Sequence, residues 1–430
     1  MTTVAGRAPT SLDHRRGRTT VTVVDNDGTL IPHTDVRIEQ VSHEFGFGSI
    51  GFDLIDFANE QTPPRHDAAA NSGVDASGGD GATLAKDWFS LFNMATLPFY
   101  WARFEPTQGH PDTKRLLAAA RWFARHGVSV KGHPLLWHTL APPWLLEMPE
   151  SQAESAMRAR IGRDVADFAG VIDHWDAINE PVILPSFTAE ANAVTRLAQS
   201  EGWVETVRLA FESARAANPS ARLVINDFDL SPEYERVISE CLEAGIQIDA
   251  IGLQTHMHQG YRGEDEVWEI LERFARFGLP LQMTETSLVS GNLMPAHIVD
   301  LNDFTPASWP STAQGEARQA DEIVRHYCTL VAHPAVESVT YWGLSDATAW
   351  LGAPSGLLRP DGSRKPAFDS LHGLIKGEWW HAPGVERTDE AGRLRVQGFA
   401  GTYRISHRGS KTDITVEAGR ERHLRVVLGA

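Results

Sequence analysis

Short apolar runs alternate with amphipathic segments along most of the chain, from about residue 45 to residue 376. The runs have the length of buried strands, and the segments between them, such as residues 113–126 and 202–217, repeat their apolar residues at helical spacing. Eight strands are predicted, at residues 45–50, 94–100, 128–134, 171–179, 222–228, 248–256, 280–286 and 338–344. Eight β-then-α units predict an α/β fold, a (β/α)8 TIM barrel. A doubly wound open sheet is the structural alternative, but polar residues that collect at the strand ends favour the barrel.

Both ends of the chain alternate apolar and polar residues instead. Residues 18–41 do so around an Asp-Asn-Asp-Gly turn, which indicates a β-hairpin, and residues 392–428 do so several times. Neither flank can bury a core alone, so we predict that the two meet in a small accessory β-sandwich. The predicted organisation is a flexible tail (1–17), a barrel (42–377), and an accessory unit built from residues 18–41 and 378–430. A Gly-rich stretch at 71–81 predicts a flexible loop.

Polar and aromatic residues follow six of the predicted barrel strands. In such a barrel the active site lies at the carboxyl ends of the strands, so we expect these residues to share one rim. In chain order they are His133, Trp137 and His138, Asn179 and Glu180, Asn226 and Asp227, Gln254, His256 and His258, Glu285, and Trp342, Asp346 and Trp350.

Two carboxylates in this set, Glu180 and Glu285, follow the fourth and seventh strands. Glu is a poor strand residue, and burying its charge costs several kcal/mol unless it is paired or used. Strands four and seven lie across the barrel mouth from each other. Two carboxylates about 5–5.5 Å apart are the machinery of a retaining glycosidase. Asn179 is then placed to donate to a sugar 2-hydroxyl, and His256 to keep Glu285 ionised.

Several segments resemble the strand motifs of glycoside hydrolase family 10, the endo-β-1,4-xylanases. They are KGHPLLWHT (131–139), WDAINEP (175–181), IGLQTHMH (251–258), QMTETS (282–287) and YWGLSD (341–346), with FEPTQG (104–109) and NDFDL (226–230) as further landmarks. The resemblance runs through the whole barrel in order. It implies that Glu180 is the acid/base and Glu285 the nucleophile of a retaining β-glycosidase. The residues that it implies around the substrate are His133, Trp137, Asn179, Gln254, His256, Trp342 and Trp350.

The second strand departs from the family pattern. A Glu-Asn-Glu-Met-Lys-Trp run that grips the sugars at subsites −2 and −1 is replaced by residues 96–101, with Leu97 at the Asn position and Tyr100 at the Lys position. Ser287 stands where the family often has Asp. We therefore expect Tyr100 to line a more apolar glycone site, and polymeric xylan to be a poor substrate. A short oligosaccharide or glycoconjugate is the predicted substrate, and plain endo-xylanase activity is the close alternative.

Composition narrows the classes of partner. A formal net charge of −17 argues against nucleic acid, and no apolar run approaches the roughly 18 residues of a membrane span. We expect a carbohydrate substrate and neither a cofactor nor a metal; the oligomeric state is not predicted. The start of the chain lacks a secretory pattern, which predicts a cytoplasmic enzyme unless a native leader was removed.

Two other functions stay open at this point. One is a barrel of the same type that binds glycans without cleaving them. The other is a metal-dependent barrel hydrolase, because His256 and His258 alternate along one strand and share a face, as paired metal ligands do.

Overall fold

The computed structural model describes residues 11–59 and 81–429. Eight parallel strands close into a barrel with helices between them, which confirms the predicted fold class. In barrel order the strands are β3 (Gly46–Ile50), β4 (Met94–Pro98), β5 (Ser129–His133), β6 (His174–Asn179), β7 (Arg222–Asp227), β8 (Ala250–Met257), β9 (Leu281–Leu288) and β10 (Val336–Tyr341). β10 pairs with β3 and closes the ring.

The helices cover the barrel and bury one face each. α4, for example, buries Leu116, Ala119, Ala120 and Phe123, the spacing of one helical stripe. The helices are α1 (Ile55–Ala58), α2 (Gly81–Leu91), α3 (Trp101–Phe104), α4 (Thr113–Arg125), α5 (Glu150–Phe168), α6 (Ala193–Glu201), α7 (Trp203–Ala217), α8 (Pro232–Glu243), α9 (Glu264–Ala275), α10 (Ala313–Ala332) and α11 (Pro366–Gly373), followed by a π-helical turn, Leu374–Glu378. Across the two described ranges, no helix is long and apolar enough to cross a membrane.

Two small sheets from the chain ends pack together beside the barrel, as predicted for the accessory β-sandwich. One has the order β12-β1-β15 and the other β11-β2-β13-β14. A second hydrophobic core lies between them and includes Val21, Ile38 and Tyr403. The strands are β1 (Arg16–Val24), β2 (Asp35–His43), β11 (Gly384–Arg387), β12 (Arg393–Phe399), β13 (Gly401–His407), β14 (Ser410–Val416) and β15 (Glu421–Val427).

The predicted N-terminal hairpin is wrong. β1 and β2 lie in different sheets, and at the turn an isolated bridge joins Val24, the last residue of β1, to Leu30, which precedes β2. β1 pairs instead with β12 and β15, and β2 with β11 and β13. The physical reason is burial: when the two strands stand in opposite sheets, the apolar face of each covers the other and the C-terminal strands supply the hydrogen bonds.

The first part of the predicted flexible tail and nearly all of the predicted flexible loop at 71–81 lie outside the described residues. Within the described part of the tail, Arg15 fastens the accessory unit to the barrel. Its guanidinium donates to the carbonyl oxygens of Val331 at 2.9 Å and of His333 at 2.6 Å, at the C-terminal end of α10. β1 therefore begins immediately after an anchor on the barrel.

Candidate active site

Glu180 follows the last residue of β6 and stands at the barrel mouth. Its side chain is 14% exposed, and the Trp137 indole donates to its Oε2 at 2.8 Å. The Asn179 amide donates to its Oε1 at 3.1 Å. The His138 ring nitrogen Nε2 lies 3.6 Å from Oε2. Burial lowers the pKa of His138 to about 4, so this imidazole is neutral and brings no positive charge to Glu180.

Burial also sets the protonation of Glu180. It raises the pKa of this carboxyl to about 7, the charge of Glu285 adds to the rise, and the hydrogen bonds from Trp137, Gln254 and Asn179 oppose it. A carboxyl group with a pKa near neutrality holds a proton in part of the enzyme population and can also release it. Both states are needed in a residue that first donates a proton and then accepts one.

Glu285 lies in β9 and has a different environment. It accepts a hydrogen bond from Asn226 Nδ2 at 3.1 Å and one from His256 Nε2 at 3.0 Å. A carboxylate is an acceptor only, so His256 donates to it from Nε2, and the Nδ1 atom of His256 lies 3.1 Å from the Ser287 hydroxyl. Two donors therefore converge on this one carboxylate and fix its orientation at the barrel mouth.

A chain of side-chain amides joins the two carboxylates. Asn226 Nδ2, which contacts Glu285, lies 2.6 Å from Asn179 Oδ1, and Gln254 Nε2 donates to the same oxygen at 3.2 Å. Gln254 Nε2 also lies 3.5 Å from Glu180 Oε1. The structure thus brings both acids, Asn179 and Gln254 together, as the sequence predicted, on one connected network at the barrel mouth.

Irregularities in strand pairing align these amides. Between β6 and β7 the register shifts after Asp176, so that Asn179 stands opposite Asn226. Between β8 and β9 it shifts after Leu253, so that Gln254 stands opposite Glu285. Extra residues of this kind re-aim side chains and are common beside active sites. Without these shifts, each pair would be one residue out of step.

The buried carboxylate of Asp176 holds the His133 ring in place. The Nδ1–H group of the ring donates to Asp176 at 2.8 Å, and the Lys131 ammonium lies 2.6 Å from the other oxygen of Asp176. Burial acts to raise the pKa of Asp176, but Lys131 and His133 outweigh it and the net shift is downward. The Nε2 atom of His133 lies 3.8 Å from Glu285. An ionised Asp176 thereby fixes the orientation of His133 toward the site.

Aromatic rings border the two acids. Tyr100 lies 5.7 Å from the His133 ring and 5.6 Å from the Trp137 ring, measured between centroids. Trp342 lies 5.3 Å from His133, and Trp350 lies 4.8 Å from His256. All four aromatic residues predicted to line the substrate, with His133 and His256, therefore surround the acids. Whether each one contacts substrate stays a prediction.

The second barrel strand contributes less to this surface than expected. Leu97 and Phe99 are 0% exposed and belong to the core against the helices; Phe99 packs on Phe168 and Trp175. Tyr100 lies beyond the end of β4, directly before α3, and its ring reaches the site beside those of His133 and Trp137. Burial raises the pKa of Tyr100, and the charges of Glu285 and Glu180 add to that rise, so its hydroxyl stays protonated.

Three residues of the site were absent from the predicted set of substrate and catalytic residues. Asn226 lies near the end of a predicted strand but was not assigned a role, and the structure shows that its side chain donates to Glu285. Asp176 was hidden inside a strand. Phe52 lies in the loop after β3 and contacts Tyr100 and Trp342, at 5.9 Å and 6.0 Å between ring centroids. Its position directly after the first barrel strand was the available signal.

The residues considered as a metal pair have other contacts. His256 bonds Glu285 and Ser287, and His258 lies in a group of rings 5.4 Å from Trp350 and 5.8 Å from Trp309. In the described part of the chain, no group of three or more His, Cys, Asp or Glu side chains is arranged to hold a metal ion.

Comparison with known proteins identifies the family to which this chain is similar. The model of glycosyl hydrolase family 10 matches residues 89–373, about two thirds of the chain. Endo-1,4-beta-xylanase 3 of Hypocrea jecorina is 27% identical over 285 residues, which cover 64% of this chain and 73% of that protein. Beta-1,4-xylanase of Dictyoglomus thermophilum is 25% identical over 242 residues, covering 53% and 63%.

Solved structures show the same fold. Xylanase 10B from Thermotoga petrophila, in complex with xylobiose, matches with a TM-score of 0.61 at 20% identity, over 78% of this chain and 95% of that one. The prediction of a glycoside hydrolase, rather than a non-catalytic or metal-dependent barrel, is confirmed. The chain belongs to glycosyl hydrolase family 10 and is a retaining glycoside hydrolase that acts on a carbohydrate substrate.

Proposed function

We propose that Glu285 is the nucleophile and Glu180 the acid/base of this retaining enzyme. In the first step a carboxylate oxygen of Glu285 attacks the anomeric carbon while Glu180 gives its proton to the departing glycosidic oxygen. In the second step Glu180 takes a proton from water, and that water releases the sugar from Glu285. The observation that carries the assignment is the contrast between the two environments: Glu180 is buried with a raised pKa, and Glu285 accepts two hydrogen bonds.

The amide network supports the same assignment. Asn179 and Gln254 contact the Glu180 side of the network, and Asn226 joins Asn179 to Glu285. The Asn179 Nδ2 group has two hydrogens, so one remains for a sugar hydroxyl beside the hydrogen bond to Glu180. Such a contact, strengthened in the transition state, is worth several kcal/mol in this class of enzyme.

For the substrate we propose a short β-linked xylo-oligosaccharide or a small β-glycoside. Tyr100 supports this choice because an aromatic ring with one hydroxyl cannot reproduce the hydrogen bonds of an ammonium group at that position. Each hydroxyl left without a partner costs roughly 1–3 kcal/mol, or about tenfold to a hundredfold in affinity. The ring instead offers a flat apolar face beside Trp137 and Phe52.

Polymeric xylan is the second candidate substrate, because the similar proteins are endo-1,4-beta-xylanases. One set of assays separates the two. Aryl β-xyloside, β-xylobioside, β-cellobioside and β-glucoside are compared with soluble xylan by kcat/KM, and products are followed by mass. We expect a small glycoside to be cleaved more efficiently. Efficient cleavage of xylan with accumulation of xylobiose and xylotriose would instead make the enzyme an ordinary endo-xylanase. The cytoplasmic location stays a prediction that localisation in the native cell would test.

A further inference from the structure

Glu180 has a backbone conformation that side-chain-bearing residues seldom adopt. Its φ is 56°, in the left-handed region, and it directly precedes Pro181. A non-glycine residue stays in this region only where its surroundings impose it, and such residues concentrate at functional sites. The turn that carries Glu180 therefore needs contacts that hold it in place.

The neighbouring strand supplies those contacts on both sides of Pro181. The Glu180 amide donates to the carbonyl oxygen of Asn226 at 2.7 Å. The Val182 amide donates to Oδ2 of Asp227 at 2.9 Å. Pro181 has no amide hydrogen of its own, so these two hydrogen bonds hold the amides on either side of it. Among these acceptors Asp227 is the one that acts through its side chain.

Asp227 is buried, and its side chain accepts hydrogen bonds from backbone amides. It is 0% exposed, and its second oxygen accepts the Asp229 amide at 2.9 Å. Within residues 11–59 and 81–429 it forms no ion pair with a basic side chain. Burial holds the pKa of Asp227 well above its usual range, and the charge of Glu180 adds to that shift. A buried acid that bonds only backbone amides is costly to keep unless its geometry is used.

We propose that Asp227 is the positioning residue of the acid/base, holding the Glu180–Val182 turn through the Val182 amide so that Glu180 faces the glycosidic oxygen. This inference rests on the proposed function of Glu180. Its consequence is specific: without Asp227 the turn relaxes, proton delivery to the leaving group becomes poor, and attack by Glu285 is unaffected. A displacement of about 1 Å in a catalytic group can cost on the order of a hundredfold in rate.

The test uses two aryl glycosides that carry the same sugar and differ in their leaving group. The sugar is that of the small substrate, among those named above, that the wild-type enzyme cleaves most efficiently. The dinitrophenyl glycoside hardly needs an acid in its first step, and the phenyl glycoside needs one. In Asp227→Ala we expect kcat/KM to fall about a hundredfold for the phenyl glycoside and less than fivefold for the dinitrophenyl glycoside. The ratio of the two kcat/KM values does not depend on the fraction of enzyme that is folded, so partial misfolding does not obscure the result.

A double-mutant cycle shows whether Asp227 acts through Glu180. Adding Asp227→Ala to Glu180→Ala should cost less than threefold further on the phenyl glycoside. Asp229→Asn is the matched control, because Asp229 lies in the same loop and caps Ser231 at 2.8 Å instead, and its ratio should equal that of the wild type. If Asp227→Ala is insoluble, Asp227→Asn is measured by the same ratio, since the NH2 group that replaces one carboxylate oxygen cannot accept a hydrogen bond from a backbone amide.

Two failures are distinguishable. If Glu180→Ala slows both glycosides equally, the proposed role of Glu180 is wrong. If Glu180→Ala changes the ratio but no soluble Asp227 variant does, or if the two substitutions are fully additive in the cycle, the role of Asp227 as a positioning residue is overturned and the proposed function stands.

Discussion

Replacing Trp137 by Phe removes one hydrogen bond from Glu180, the proposed acid/base, while keeping an aromatic ring at the site. In the native enzyme the indole donates to Glu180 Oε2 at 2.8 Å. This bond stabilises the ionised carboxylate and opposes the burial that raises the pKa of Glu180 to about 7. Its loss therefore raises the pKa further. Because Glu180 must be protonated to act as the acid, kcat/KM falls as pH rises through this pKa, and the basic limb of the profile should move to higher pH.

The size of the shift follows from the strength of the lost bond. A hydrogen bond to a charged group is worth about 1.5–3 kcal/mol, and one pKa unit corresponds to about 1.36 kcal/mol. Full loss moves the basic limb upward by about 1 to 2 pH units, and less where water takes the place of the indole. At pH values below the basic limb, kcat/KM of Trp137→Phe should be lower than that of the wild type only because the smaller ring makes a weaker contact with the substrate.

The assay is the pH dependence of kcat/KM on an aryl glycoside with a poor leaving group, since that profile reports the free enzyme. Trp342→Phe is the matched control: it removes an indole whose ring neighbours are Phe52, His133 and His256 and not Glu180. It should lower kcat/KM and leave the limb in place. A basic limb that stays fixed or moves downward in Trp137→Phe would refute the reasoning.

Three further predictions concern the nucleophile, the accessory unit and a buried ion pair. Glu285→Ala should lose nearly all activity, and azide should restore some with an α-glycosyl azide as product; a β-azide would reverse the two roles. Truncation after residue 380 removes the strands that flank β1 and β2 and exposes Val21 and Val36. The melting temperature and the resistance to protease should therefore fall, and unchanged values would contradict the shared core. Lys365→Met leaves the buried Asp346 without its ammonium partner at 2.6 Å and should cost about 3–5 kcal/mol in denaturant unfolding, whereas adding Asp346→Leu should recover most of it.

The barrel and its two acids were predictable because their signals are local. Each barrel strand is a short apolar run between helices, and the carboxyl ends of parallel strands must meet at one face. Glu180 and Glu285 could therefore be placed at the same rim from the sequence alone. At the second barrel strand, the residue types alone predicted a more apolar glycone site. The structure buries Leu97 and Phe99 in the core, and of these three residues only Tyr100 reaches the site.

The sequence could not show which strands pair with each other, or in which register. The alternation of residues 18–41 shows which face of each strand is buried, and it does not show which strand lies beside it. Hence β1 and β2, adjacent in sequence, were assigned to one hairpin although each pairs with C-terminal strands. The same limit applies to Asn226, which stands opposite Asn179 only because of a register shift between β6 and β7. One extra residue in a strand changes which side chains stand opposite each other, and nothing in the hydrophobic pattern marks where it falls.

The replacement of Asp by Ser at position 287 changes how the nucleophile is held. An Asp beside His256 would favour the charged imidazolium and so place a positive charge next to Glu285. The Ser287 hydroxyl, 3.1 Å from Nδ1, is uncharged and can donate to that nitrogen or accept from it, so Ser287 brings no negative charge to the imidazole. Glu285 receives hydrogen bonds from His256 and Asn226. Lys131 pairs with Asp176, the residue that orients His133. In the described part of the chain Glu285 is therefore held by oriented side-chain donors, and a serine in place of an aspartate adds no negative charge to the imidazole beside it.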